Sequence, residues 1–156
     1  MAYIRYKEVT KHFNFSKVVE LKSLPSYVSD YAYDSETILA AYKVGRDHGM
    51  ITDKKIVLFD NSISFRPKKE ITTIPYRSIS AHSVIFHNNT AEIYLLLDSG
   101  HPLLLKFSNM SSEDKVRLRL LYNAMSSIIC GEKIPNTILK KLLDKDFSIK
   151  TKNKED

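Results

Sequence analysis

The stretch from Gly49 to Phe86, GMITDKKIVLFDNSISFRPKKEITTIPYRSISAHSVIF, limits the fold more than any other part of the chain. Its apolar residues come in short runs rich in Ile, Val and Phe. Clusters of Asp, Asn, Ser, Pro and Lys separate them, and these residues favour turns. Runs of this length suit strands and are too short for helices. In KIVLFD, Ile56 and Leu58 fall on one face and Val57 and Phe59 on the other, following the two-residue period of a strand. Apolar residues on both faces predict a sandwich or barrel interior on one side and a cover on the other.

The same pattern runs both ways from this stretch. TILAAYKV leads through a GRDHG turn into MITD, and SISFR leads to a charged break at Pro67-Lys68-Lys69-Glu70 before ITTIP. SISAHSVIF, AEIYLLLD and HPLLLKF follow, joined at HNNT and at Ser99-Gly100. About seven short strands with turns between them predict an antiparallel all-β domain.

After Phe107 the period changes. Ser111 and Asp114 have capping-box spacing. Val116, Leu120, Leu121, Ala124, Met125, Ile128 and Ile129 recur at helical intervals up to Gly131, where a helix should stop. Leu118 and Tyr122 widen the apolar face beyond a single seam, so it should be covered on both sides. One cover is the β core; the other is the N-terminal segment or a second subunit. Arg117, amid this face, lies at its rim or pairs with a buried acceptor. Pro135-Asn136 starts a second, short helix with Ile138, Leu139, Leu142 and Leu143 on one face. The tail beyond Asp146 is charged and expected to fray.

Upstream, Ser23 and Pro25 mark a short helix to about Tyr31, with Leu24, Tyr27, Val28 and Tyr31 turned inward. Phe13, Phe15, Val18, Val19 and Leu21 are too apolar for a free tail. They predict an irregular arm, with a helical turn, packed on the domain. The organisation expected is 1–35 as arm and short helix, 36–131 as the main domain, and 132–156 as a short helix and charged tail.

At 156 residues the chain is long enough to bury a core unaided by disulfides, and its single cysteine, Cys130, permits no internal disulfide. That suits a reducing compartment. The N-terminus lacks a signal-peptide apolar run, and no run approaches the roughly 18 apolar residues of a spanning helix. The expectation is a soluble, cytoplasmic protein. The net charge of +6 could draw an anionic membrane surface or nucleic acid, but acidic residues are interspersed even in the lysine-rich tail, which favours a solvated surface.

Three local sequences resemble bacterial pleckstrin-homology-like (PH-like) domains. ITDKKIVLFD is similar to the strand entry of that group, IPYRSIS to its proline-tyrosine segment, and LPSYVSDYAYDSETILAAYK to its helical lead-in. The resemblance covers about Leu24 to Ile129. It implies a seven-stranded antiparallel PH-like β-barrel or sandwich capped by a C-terminal amphipathic helix, with a short helix before it and another after. It also implies a bacterial group commonly of unknown function, some of whose members self-associate. The motif residues read as structural. Thr52 and Asp53 bond the backbone of a tight turn with Lys54 and Lys55 held outward, Pro75 sets a bend, Tyr76 buries its ring, and Ile79 enters the core. Eukaryotic PH domains that grip phosphoinositides use a basic first hairpin loop; VGRDHG here has only Arg46, with Lys43 nearby and Asp47 opposing.

No catalytic constellation is legible. The five histidines have no ligand spacing, and nucleophile-elbow, P-loop and dinucleotide motifs are absent. Cys130, at the negative end of a helix, reads as a small apolar filler. The chain is therefore read as a non-enzymatic binding or scaffold module with no cofactor, metal or small-molecule substrate. It would act through protein contacts, with a second copy or another protein, using Leu118, Tyr122, Met125 and Ile129 on the long helix. The alternative is an anionic-surface binder, for membrane or nucleic acid, using Arg46, Arg66, Lys68, Lys69 and the lysine tail.

Overall fold

The computed structural model describes residues 11–62 and 68–143. Its strands are β1 (Lys11–Phe15), β2 (Lys17–Val18), β3 (Ile38–Val44), β4 (Asp47–Thr52), β5 (Lys55–Ser62), β6 (Lys68–Pro75), β7 (Ile79–Phe86), β8 (Ala91–Leu97) and β9 (Pro102–Phe107). Its helices are α1 (Ser26–Ser29), α2 (Ser112–Ile129) and α3 (Asn136–Leu143). Two sheets form, one ordered β1-β9-β8-β7 and the other β2-β3-β4-β5-β6. This is the PH-like sandwich with its C-terminal helix. Expected strand SISFR lies largely outside the described residues.

The N-terminal segment departs from expectation. The expected helical turn is present at Leu21–Ser23, but from Lys11 to Val18 the chain is extended rather than irregular: β1 runs parallel to β9, and after Ser16 the chain crosses to pair with β3 as β2. Ser16 N–H donates to Lys43 O at 3.0 Å while Ser108 N–H donates to Phe15 O at 2.8 Å, so one segment stitches both sheets together at a corner. Phe15 anchors it, its ring 5.7 Å from that of Phe107 and 6.2 Å from that of Tyr42. The ring fits because β4 has a glycine beneath it; a Cβ on Gly49 would lie 2.7 Å from Phe15 Cζ. Likewise the Lys68–Glu70 part of the expected charged break is the start of β6, paired with β5 through Lys68↔Ser62 and Glu70↔Asp60.

The alternation in β5 resolves as predicted. Ile56 and Leu58 join the main core, whereas Val57 and Phe59 join a second cluster with Met50 and Val28. The cover over this outer face is α1. The helix is one turn long, begins at Pro25 without a side-chain cap, and buries Val28, so Ser23 is not its cap. Tyr27 and Tyr31 are 37% and 42% exposed, and their rings meet the Phe59 ring edge-on instead of entering the core.

The capping box is present as read: Ser111 Oγ accepts from Asp114 N–H and Asp114 accepts from Ser111 N–H. The chain leaves α2 through Gly131 at φ +80°. The wide apolar face of α2 is covered by the sandwich and by α3, whose Leu142 is buried in the same core. Arg117 donates to Leu142 O at 3.2 Å, placing a cation on the negative end of α3. Cys130 caps α2 and is exposed, so it fills no core.

Candidate binding surfaces

The turn motif does what its residues imply, with one exception. Thr52 Oγ1 accepts from Lys54 N–H and Lys55 N–H, both at 3.0 Å, and Asp53 accepts from Thr37 N–H at 2.9 Å. Tyr76 is buried and its hydroxyl donates to Thr52 O at 2.6 Å. The exception is Lys55, which is 7% exposed rather than outward. Its ammonium pairs with Glu36 Oε1 and lies 3.5 Å from the centre of the Tyr33 ring. Burial alone would raise the Glu36 carboxyl, but hydrogen bonds from Lys55 and the Tyr33 N–H, with the Thr52 hydroxyl nearby, outweigh it and hold the group below its ordinary value. This cluster ties the segment after α1 to the sheet and offers no site.

The protein-contact residues expected on α2 do not form a surface. Leu118 and Met125 are 0% and 1% exposed, inside the chain's own core, which removes them from any interface. Tyr122 and Ile129 are half-buried against that core. The Tyr122 hydroxyl lies 2.9 Å from His82 Nδ1 and donates to His82 O at 3.3 Å. The reason is α3, which fills the side of α2 that a partner was expected to cover.

The apolar surface lies elsewhere. In β8, Ala91, Ile93 and Leu95 point into the core, so Glu92, Tyr94 and Leu96 face out. Tyr94 and Leu96 are 41% and 42% exposed, and Ile85 on β7 is 41% exposed. Register sets Leu96 between Ala81 and Pro102, and Tyr94 between Ser83 and Leu104. The result is an apolar stripe across the outer face of the four-stranded sheet, flanked by the Glu92–Lys106 pair. The alternation in AEIYLLL carried this signal, because a strand with only one buried face should show polar residues at positions 94 and 96.

Cations gather at one end of the other sheet. The β3–β4 turn, which holds Arg46, and the start of β6 lie at the same end, as shown by Val44↔Asp47, His48↔Phe59 and Asn61↔Lys69. Register also sets Lys17 opposite Lys43 and Lys43 opposite His48. Lys69 Nζ lies 4.3 Å from the Tyr27 ring centre, and Tyr27 Oη is 3.3 Å from His48 Nδ1. Burial pushes the His48 imidazole below its ordinary value; its contact with Arg46 O and the Asp47 carboxylate oppose this, while Lys43 adds to it. Of the expected anion-binding residues, Arg46 and Lys69 are thus brought to one end and are exposed. Lys68 opens β6 beside Lys69, and Arg66 and the lysine tail lie outside the described residues.

Among the described residues, no group of three or more His, Cys, Asp or Glu could hold a metal ion. A cleft lined by Phe15, Tyr42, Phe107 and Asp114 has about 10 Å³ of space, room for a single water. No helix among the described residues is long and apolar enough to cross a membrane.

The family model of the bacterial PH domain matches residues 9–129. The chain is 41% identical over 51 residues to the uncharacterized protein YjqA of Bacillus subtilis (strain 168); this match covers 33% of the chain and 41% of that relative. Among solved structures, a DUF1696 family protein with a pleckstrin-homology domain from Shewanella loihica PV-4 superposes with a TM-score of 0.57 at 22% identity, covering 74% of this chain and 97% of that one. A PH domain containing bacterial protein from Exiguobacterium sibiricum 255-15 gives 0.54 at 18% identity, covering 74% and 61%.

Proposed function

Because the chain belongs to the bacterial PH domain family, whose fold serves in general as a binding module, we propose that it is a non-catalytic module that binds protein through the outer face of its four-stranded sheet. The observation that supports this is the outward pair Tyr94 and Leu96 on β8 with Ile85 diagonal to Tyr94, each more than two fifths exposed. An apolar patch bordered by polar residues marks an interaction surface. The reading includes self-association: two copies stacking these faces would remove both stripes from water. Sedimentation over a range of concentrations tests it. Leu96→Lys should leave the circular dichroism spectrum unchanged and shift any self-association to at least about tenfold higher concentration. A chain that stays monomeric at every concentration and whose captured partners ignore Leu96→Lys would remove the proposal.

A second reading has its own observation. Like charges directly opposite one another on neighbouring strands destabilise a sheet, yet Lys17 faces Lys43. An anionic surface would relieve that repulsion. If so, the chain should sediment with phosphatidylserine vesicles at low salt, release them as salt rises through about 0.1 M, and lose the interaction in Lys43→Glu and Lys69→Glu. Equal retention at high salt, or by both variants, would exclude it.

A further inference from the structure

Among the described residues the four-stranded sheet ends at β7, with no strand on its far side. Sheet edges are normally blunted by charge, proline or shortness. β6, the edge of the other sheet, carries Lys68, Lys69 and Glu70 and closes on Pro75. β2 is two residues long, and β1 is five and opens with Lys11. β7 is eight residues, ISAHSVIF, with no Lys, Arg, Asp, Glu or Pro. Its register shift lies between Ile79 and Ala81, leaving the rest of the strand regular.

The direction of the β7 peptide groups follows from its turn. His87 N–H donates to Thr90 O at 2.8 Å, which fixes the phase of the antiparallel ladder. The closely bonded pairs are then Ile85↔Glu92 and Ser83↔Tyr94. The peptide groups of His82, Val84 and Phe86 therefore turn away from β8, toward the open edge. One independent contact agrees: the Tyr122 hydroxyl of α2 donates to His82 O, taking the place a neighbouring strand would hold. Farther along the edge, at Phe86, there is an exposed arginine, Arg119, with its guanidinium 5.8 Å from the centre of the Phe86 ring.

We infer that the β7 edge from Val84 to Phe86 accepts an added strand: an extended segment of another protein bearing a carboxylate side chain that reaches Arg119. Main-chain pairing supplies the attraction and the charge supplies selectivity. A second copy is the poorer occupant, because ISAHSVIF has no acid to offer and β7-to-β7 pairing would leave both Arg119 side chains unmatched. This inference rests on the protein-binding reading but uses the edge, not the outer face, so Leu96→Lys should leave it intact.

The test is to pan a phage-displayed pool of random dodecapeptides on the full chain. Enriched peptides should alternate apolar residues and share an Asp or Glu. A synthetic copy of the most enriched one should protect the Val84 and Phe86 amides from hydrogen exchange, amides that exchange faster than those of Ser83 and Ile85 in the free chain. Val84→Pro removes an outward N–H at an edge, where proline is tolerated. Val84→Pro and Arg119→Glu should each weaken binding about tenfold or more. If Val84→Pro fails to fold, Arg119→Glu and the exchange pattern decide. No enrichment, binding indifferent to Arg119→Glu, or free-chain protection at Val84 and Phe86 equal to that at Ser83 would overturn the proposal. So would a dimer that Val84→Pro dissolves and Arg119→Glu does not, since a second copy would then fill the edge.

Discussion

Lys55→Met is expected to cost about 3–5 kcal/mol of folding stability, because it strips the partner from a carboxylate already out of water. The Glu36 side chain is 0% exposed, and its Oε2 has no hydrogen-bond partner in the structure. The pH dependence should identify the cause. In the natural chain the Glu36 carboxyl is held below its ordinary 4.5. Its contribution to stability is present above pH 4.5 and lost as pH falls through the lowered folded value. With Lys55 gone, burial dominates and lifts the group above 4.5. The variant is then penalised at neutral pH and relieved as pH falls toward 4.5, the opposite slope. Urea unfolding followed by circular dichroism at several pH values measures both. Adding Glu36→Gln to Lys55→Met should restore more than half of the loss; a double variant as unstable as the single one would show that Lys55 acts through packing on Tyr33 instead.

Lys55 also shows where sequence reasoning reaches its limit. Next to Lys54 and just after a turn, it reads as a solvated lysine, and Lys54 is one. What buries Lys55 is a glutamate nineteen residues away, a contact with no local signature. The features that were legible all act within a few residues: the Ser111 capping box, the Thr52 turn, the Gly131 helix stop and the alternation in KIVLFD. The features that were missed are tertiary. The wide face of α2 was legible as a face needing two covers, but α3 as the second cover was not. The same holds for Phe13 and Phe15, apolar enough to require burial, whose strand pairing with β9 spans most of the chain. The candidate surfaces follow suit, since Lys17, Lys43 and His48 adjoin only through register, and the open edge of β7 exists only once the strand order is known.

Phe59→Ala is expected to cost about 3–5 kcal/mol, as much as a change in the main core, though Phe59 lies on the outer face of β5. It is 0% exposed and packs with Val28, Met50 and Val57. The rings of Tyr27 and Tyr31 meet it edge-on with centroids 6.3 and 5.3 Å away. A helix of one turn has almost no stability of its own, so α1 is held in place by this cluster and by its Tyr27–His48 contact. Truncating Phe59 should therefore do more than open a cavity. The chain from Leu24 to Tyr33 should loosen before the sheets unfold, giving new protease cleavage within it at denaturant concentrations where circular dichroism is still native. Phe59→Leu keeps most of the volume and should cost less than about 1.5 kcal/mol, without new cleavage. A loss under about 1 kcal/mol in Phe59→Ala, with no change in cleavage, would mean that α1 is held by its flanking turns and that Glu36–Lys55 alone fastens the segment to the sheet.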